Sequence, residues 1–482
     1  MGASRRAVGL LLAVALGVTG CTSDESPGPS SSTPAAEPSR DFVTGAAGAG
    51  DDYFPSYGNG GYEVVRYDLK VKYDPATDEL TGTAGIEANA TENLARFNLD
   101  LAGLTVRSVT VNGAAAKHAR EGNELVVTPA AGLVAGEGFT AEIGYGGKPA
   151  PLENETLGSG GFLHTSDGGI ALGQPESAST WFPVNDHPSD KAQYRYEITV
   201  PDGLVAVSNG KPAGKRAEAG WTTWSWDEPV PMASYLSTVV IGKYRVTTGE
   251  HKGRPVFSAI SADLPKGGPS DRSIAATTKV ADYLETVFGP YPASAYGGVV
   301  ITDDRIRYAL ETQSRPVYSV AFFRQGENPD VVAHELAHQW FGNSVALRRW
   351  QDIWLNEGLA TYAEWLWAEH DGRSTAAREF SNAYDRSRDA IWTVPPGKPG
   401  SERLFSGSVY QRGGMTVHAL RVAIGDDAFF RFLKAWTAAK RDGYATTDEF
   451  IAEAERISGK QLDKLFDAWL YGTTKPPAPK PL

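Results

Sequence analysis

Cysteine is nearly absent from this sequence. Of 482 residues only Cys21 carries a thiol, so no internal disulfide can brace the chain and its fold must rest on packed cores. Clusters of basic charge are missing too: 46 Lys and Arg stand against 58 Asp and Glu, a formal −12 with no Lys/Arg concentration, which excludes a nucleic-acid binder. No internal repeat at a period of ~20–50 residues occurs, and with that the solenoid and propeller architectures drop out. Histidine is scarce, eight in all, so two at close spacing carry weight. What is present is apolar matter for large cores: 41% hydrophobic and 10% aromatic residues. At about 150 residues per domain the length accommodates two or three domains.

The N-terminus has a targeting pattern. Arg5 and Arg6 precede the apolar run Ala7 to Val18, too short to span a bilayer comfortably, and Val18-Thr19-Gly20 stands directly before Cys21. This reads as a signal peptide over residues 1–20 whose ending resembles the bacterial lipobox, in which the cysteine becomes the lipidated first residue. The expectation is an extracytoplasmic lipoprotein held on the cell membrane through Cys21 alone; the alternative is an incidental cysteine in an ordinary signal peptide. The paired arginines match a twin-arginine signal poorly, and the export route stays open. Residues 21–50, rich in Ser, Pro, Gly and Ala, predict a flexible tether.

From Tyr62 the hydrophobic period is two. Val65, Tyr67, Leu69, Val71 and Tyr73 alternate with Arg66, Asp68, Lys70 and Lys72, as a half-buried strand requires. Further runs follow at Leu104 to Val111, Phe139 to Tyr145, Tyr194 to Val200 and Val205 to Val207, the first and last closed by Asn-Gly turns. Residues 51–250 therefore predict an antiparallel β domain of sandwich type. Near Ser270 the period changes: Ile274, Val280, Leu284 and Val287 have helical spacing and stop at Gly289-Pro290. A second helix starts at Asn328-Pro329, cap then first-turn proline, and Thr446 with Glu449 forms a capping box before Phe450. The fold class expected is α+β multidomain, with a mainly helical second domain over residues 251–475 and a Pro-rich tail at 476–482.

Chemistry concentrates in His334-Glu335-Leu336-Ala337-His338. On a helix two residues four apart lie ~40° apart and ~6 Å along the axis, so both imidazoles reach one metal ion. Glu335 is turned ~100° from His334, where a carboxylate can take a proton from water at the metal. The competing reading is two histidines on an exposed helix. A third ligand is offered by Glu357, separated from His338 by eighteen intervening residues, and two His plus one Glu leave zinc an open position, the arrangement of a catalytic site. Glu364, two turns on, is placed either to orient a ligand histidine or to be a surface carboxylate.

His334-Glu335-Leu336-Ala337-His338-Gln339-Trp340-Phe341-Gly342-Asn343 and Trp354-Leu355-Asn356-Glu357-Gly358 together resemble the aminopeptidase N (alanyl aminopeptidase) family of gluzincin zinc metallopeptidases. The spacing of eighteen is that family's, whereas thermolysin-like enzymes use one more. The resemblance covers about residues 51–475. It implies an N-terminal β-sandwich-like domain followed by a thermolysin-like catalytic domain with one Zn2+ on His334, His338 and Glu357. It also implies hydrolysis of N-terminal residues from peptides with Glu335 as general base, and no obligate protein partner.

Further roles follow from the resemblance alone. Glu311 in Tyr308-Ala309-Leu310-Glu311-Thr312 matches the acid that binds the free amine of the substrate. Leu310 and Thr312 depart from the family's Met and Asn, which alters the first side-chain pocket. Gln174 and Glu176 match the N-domain segment that also contacts the amine, and Tyr410 matches the tyrosine that steadies the oxyanion. Two carboxylates meeting one ammonium favour a free N-terminus. Larger members add a helical C-terminal domain for which this sequence has no room, which predicts a short form with a more open cleft. The rivals are an endopeptidase with the same zinc chemistry and a binding lipoprotein on an inactive enzyme fold.

Overall fold

The computed structural model describes residues 41–154 and 158–480. The signal peptide, Cys21 and most of the expected tether lie outside the described residues. The end of that tether does not: Val43–Thr44 pairs parallel with Leu94–Asp100, Val43 N–H donates to Asn93 O at 2.8 Å and Gly45 N–H to Arg96 O at 2.9 Å. Residues 43–45 thus belong to the folded body, a contact that composition could not reveal because Gly and Ala pair through backbone alone.

The N-terminal region is built on an eight-stranded sheet that runs Lys211–Glu218, Trp221–Ala233, Lys191–Pro201, Tyr62–Asp74, Glu79–Ala90, Gly138–Gly147, Thr105–Val111, Ala114–Ala115. One pair in it, Tyr62–Asp74 with Lys191–Pro201, is parallel, so the sheet is mixed where an antiparallel one was expected. A four-stranded sheet containing Leu94–Asp100 stacks on it, with Phe97 against Tyr62 at 5.6 Å and against Phe139 at 5.3 Å between ring centres. Tyr67, Leu69, Val71 and Tyr73 point inward as predicted, but Val65 does not. A register shift between Val64 and Arg66 buries Val64 and leaves Val65 43% exposed, because a bulge inserts one residue and reverses the alternation.

The boundary expected at residue 250 falls inside a hairpin. Tyr244–His251 and Arg254–Ser261 pair with each other and continue into Val299–Ile301, Val317–Ser319 and Ala309–Leu310. The helical region therefore carries a five-stranded sheet of its own, and the alternation of residues could not say which sheet the hairpin joins. Helix Thr277–Phe288 ends at Gly289 with φ 92°, a conformation glycine adopts without a Cβ clash. Helix Pro329–Ala337 starts where the cap signal put it, with the Asn328 side chain accepting from Val331 N–H at 3.2 Å. The Thr446–Glu449 capping box is present before Thr447–Ser458.

Two buried cations tie the regions together. Arg315 donates to Ser208 O, to Gly210 O at 2.9 Å and to Phe257 O at 2.8 Å, and its guanidinium stacks over Trp226. Lys191, at the start of its strand, reaches the turn after helix Pro329–Ala337. Among the described residues no helix is long and apolar enough to cross a membrane.

Candidate active site

His334 lies inside helix Pro329–Ala337 and His338 closes it, while Glu357 sits in the first turn of helix Trp354–His370. All three side chains are buried. His334 Nε2 and His338 Nε2 each stand 3.5 Å from Glu357 Oε2. Donor atoms around a tetrahedral zinc with bonds of ~2.0–2.1 Å are ~3.4 Å apart, so this triangle has the size the ion requires.

The outer faces of both imidazoles are committed. His338 Nδ1 donates to Phe341 O at 3.0 Å, and a carbonyl can only accept, so that nitrogen carries the proton. His334 Nδ1 meets Glu364 Oε1 at 2.6 Å, which does the same for the other ring. With Nδ1 committed in both rings, Nε2 is the atom that each offers to the centre, and Glu364 is the orienting carboxylate rather than a surface one. Burial raises the Glu357 carboxyl, but the charges and hydrogen bonds of His338 and His334 outweigh it and hold it well below the usual carboxylate range. Burial pushes the Glu335 carboxyl up to about 8 against the opposing imidazoles. A divalent cation on the three ligands adds positive charge beside it and favours its ionised form.

Tyr410 reaches the same centre by a close helix crossing. The Cα of Gly413, which opens helix Gly413–Ile424, leaves no room for a side chain on Gly358: a Cβ at Gly358 would meet Gly413 C at 2.8 Å, and one at Gly413 would meet Gly358 Cα at 2.9 Å. Two glycines thus bring the helices into backbone contact next to Glu357. Tyr410 sits in the π-helical turn Ser408–Arg412, its ring parallel to that of His334 at 6.0 Å and its hydroxyl bonded to Glu357. Arg412, fully buried, fixes this turn by donating to Trp392 O and Trp469 O, both at 2.8 Å.

Beside the ligands, Glu311 follows edge strand Ala309–Leu310, and its carboxylate lies within 4.8 Å of the Glu335 carboxylate and of a His338 ring nitrogen. Asn343 Nδ2 donates to its main-chain O at 2.8 Å and Gln339 Nε2 to the same O at 3.2 Å, while Gln339 Oε1 accepts from Ser314 N–H. Its carboxylate accepts from Tyr235 OH at 2.8 Å. Glu311, Gln174, Glu335 and Tyr410 line one cavity of about 300 Å³ with His334, His338 and Glu357, and Leu310, Tyr308, Phe322 and Phe405 give it apolar walls. Gln174 Nε2 is buried with no hydrogen-bond partner among the described residues, a donor available to a ligand.

Glu176 is placed differently from the other site residues. It accepts from the Tyr57 hydroxyl and is not among the side chains lining the cavity. Burial, followed by the charge of Asp186, pushes its carboxyl up to about 7. Sequence reasoning missed Tyr235, for which no local signal exists, and the walls Phe322 and Phe405. The bracing by Gln339 and Asn343 had a signal: both are amides in an otherwise apolar stretch after the histidines.

Residues 319–469 match the Peptidase family M1 domain and residues 64–236 the Peptidase M1 N-terminal domain. Aminopeptidase M1 of Arabidopsis thaliana is 24% identical over 441 residues, covering 84% of this chain and 49% of its own. Leucyl aminopeptidase of Saccharolobus solfataricus is 26% identical over 455 residues, covering 86% and 54%. The chain spans about half the length of these curated relatives. Among solved structures, the M1 zinc metallopeptidase from Deinococcus radiodurans superposes with a TM-score of 0.83 at 30% identity over 90% of this chain and 99% of that one. A mutant of it bound to a Tyr-Ser-Ala substrate matches with a TM-score of 0.83 at 29% identity, over 90% and 100%.

Proposed function

The chain belongs to peptidase family M1, and from that premise we propose that it is a zinc-dependent aminopeptidase that hydrolyses the first peptide bond of peptides with a free N-terminus. The observation that carries this reading is that one cavity holds both a His–His–Glu triangle with Glu335 beside it and, within 4.8 Å of Glu335 and His338, the buried carboxylate of Glu311. Zinc on His334, His338 and Glu357 supplies a Lewis acid that acidifies water and polarises the scissile carbonyl.

The chain's own residues do the rest. Glu335 takes the proton of the attacking water and passes it to the leaving amine. The Tyr410 hydroxyl donates to the carbonyl oxygen as negative charge develops there, a bond that strengthens toward the transition state. Glu311, held by Tyr235 and by the amides of Gln339 and Asn343, accepts from the substrate ammonium, and Gln174 adds a polar contact at the same end. Glu176 adds negative potential from behind Tyr57. An acylated N-terminus would bury the Glu311 carboxylate without its cation, which is what sets the register at one residue. The Tyr-Ser-Ala substrate of the Deinococcus neighbour supports short peptides as substrates here.

From Arg5, Arg6, the apolar run to Val18 and the Val18-Thr19-Gly20-Cys21 ending we further propose that residues 1–20 are a signal peptide and Cys21 the lipid attachment point, so that the enzyme acts outside a bacterial cytoplasm on its membrane surface; loss of membrane fractionation in Cys21→Ser is the expected result. The enzymatic proposal is tested with aminoacyl-arylamides, with and without chelator. Chelator-sensitive cleavage restored by zinc supports it, and no cleavage by zinc-loaded protein would favour the binding lipoprotein.

A further inference from the structure

Lys191, a side chain of the N-terminal sheet, grips the turn between the zinc-binding helix and the rest of the catalytic region. Its Nζ donates to Asn343 O and Ser344 O, both at 2.8 Å, with Gly443 O at 3.5 Å. The three hydrogen-bond acceptors are carbonyls, with the Asp442 carboxylate acting on the ammonium by charge, and the desolvation cost of enclosing this group argues for a positional role. The turn it grips follows His338 with wide backbone bonds, Asn343 N–H to His338 O and Ser344 N–H to Gln339 O, both at 3.1 Å. Asn343 then donates through Nδ2 to Glu311 O at 2.8 Å, while its own Oδ1 has no partner among the described residues. The Asn343 side chain is therefore oriented by one bond to Glu311 and by whatever fixes its backbone, and what fixes its carbonyl is Lys191.

We propose that Lys191 is a positioning residue for the exopeptidase register: by clamping the Asn343–Ser344 turn from the N-terminal sheet, it sets through Asn343 the place of Glu311 beside the zinc ligands. The proposal rests on the aminopeptidase reading and extends it to a residue that touches neither metal nor substrate. It also explains why the N-terminal region is needed for more than the Gln174 contact. The clamp acts on the amine side through the Asn343 side chain, while His334 is anchored apart from the turn by Glu364 and His338 by Phe341 O, two residues before Asn343. Lys191→Met keeps the aliphatic stem and removes the three donations; Lys191→Arg keeps a cation able to donate to the same carbonyls.

The test compares KM and kcat on a free-amine leucyl-arylamide, together with bound zinc, for wild type, Lys191→Met, Lys191→Arg, Asn343→Ala and the double variant Lys191→Met/Asn343→Ala. Wild-type cleavage of the N-acetylated substrate is measured first; equal cleavage there would defeat the aminopeptidase reading itself and is thereby separated from the present proposal. Given wild-type discrimination, Lys191→Met is expected to raise KM about ten-fold with kcat within about two-fold and zinc unchanged, as a misplaced binding group does. Lys191→Arg is expected to restore most of that KM. The double variant is expected to be no worse than Asn343→Ala alone, since both act through one link. A Lys191→Met enzyme with unchanged KM, or with zinc and kcat lost together, would overturn the proposal, as would additive KM effects. Should Lys191→Met not fold, Asn343→Ala with an unaltered KM would overturn it equally.

Discussion

On the hydrolytic side of the cleft, the ligands and the base come from residues 334–357 on two adjoining helices, whereas on the amine side Gln174, Tyr235 and Glu311 come from three separate segments joined only by tertiary contacts. The first set is anchored by bonds within its own region: Glu364 and Phe341 O hold the imidazoles. The second is braced between segments: Tyr235 holds the Glu311 carboxylate, and Gln339 and Asn343, from the same 334–357 stretch as the ligands, hold its main-chain oxygen. The two sets thus meet at Gln339, Asn343 and the Glu311–Glu335–His338 contact, and mutation of single side chains tests whether hydrolysis and register separate. A mutation on the first side should erase turnover, and one on the second should change which peptides are cut.

The sharpest break on the hydrolytic side is Glu335→Gln, which keeps shape and hydrogen bonding but removes the base. We expect kcat to fall by about 10³-fold or more with KM and bound zinc retained, measured by steady-state kinetics and metal analysis. On the amine side Glu311→Gln comes next: kcat/KM on free-amine substrates is expected to fall about 10²-fold with zinc unchanged, because the ammonium loses its buried counter-charge. A Glu311→Gln enzyme that lost zinc instead would show that the two sides are not separable.

A weaker perturbation probes the crossing that brings Tyr410 to Glu357. Gly413→Ala places a Cβ 2.9 Å from Gly358 Cα, and backbone cannot yield as a side chain does. The expected cost is ~1–3 kcal/mol of stability, read from denaturant midpoints. A loss of kcat of about ten-fold, from displacement of the Tyr410 hydroxyl, should accompany it. The smallest effect is expected at Glu176, which faces Tyr57 rather than the cavity. With its carboxyl pushed up to about 7 by burial and then by Asp186, it is neutral below that pH and attracts an ammonium only above it. Glu176→Gln should therefore leave KM unchanged near pH 6 and raise it only modestly near pH 8; an equal effect at both values would mean the carboxylate is ionised throughout.

The legibility of the sequence divides along the same line. Helical spacing put His334 and His338 on one ion, and the Asn328-Pro329 start and the Thr446–Glu449 box located their helices, because all of these are relations between near neighbours. The spacing to Glu357 was legible once the motif was compared with a family. Val65 was misplaced because a bulge leaves no mark on an alternating pattern, and the parallel pairing of Tyr62–Asp74 with Lys191–Pro201 is a choice of partner that alternation does not encode. The hairpin at residue 250 went to the other sheet for the same reason. Tyr235 behind Glu311 and Glu176 turned toward Tyr57 were invisible, since nothing local distinguishes them from other tyrosines and glutamates. Gly358 and Gly413 read as ordinary glycines until their backbones were found in contact.

The central claim, one cavity in which zinc chemistry and amine recognition lie side by side, is tested most directly by comparing hydrolysis of leucyl-arylamide and its N-acetylated form in zinc-loaded wild type and Glu311→Gln. The account predicts that wild type cleaves only the free amine, and that Glu311→Gln retains zinc while losing most of that preference. Equal cleavage of both substrates by wild type, or an unaltered preference in Glu311→Gln, would contradict it.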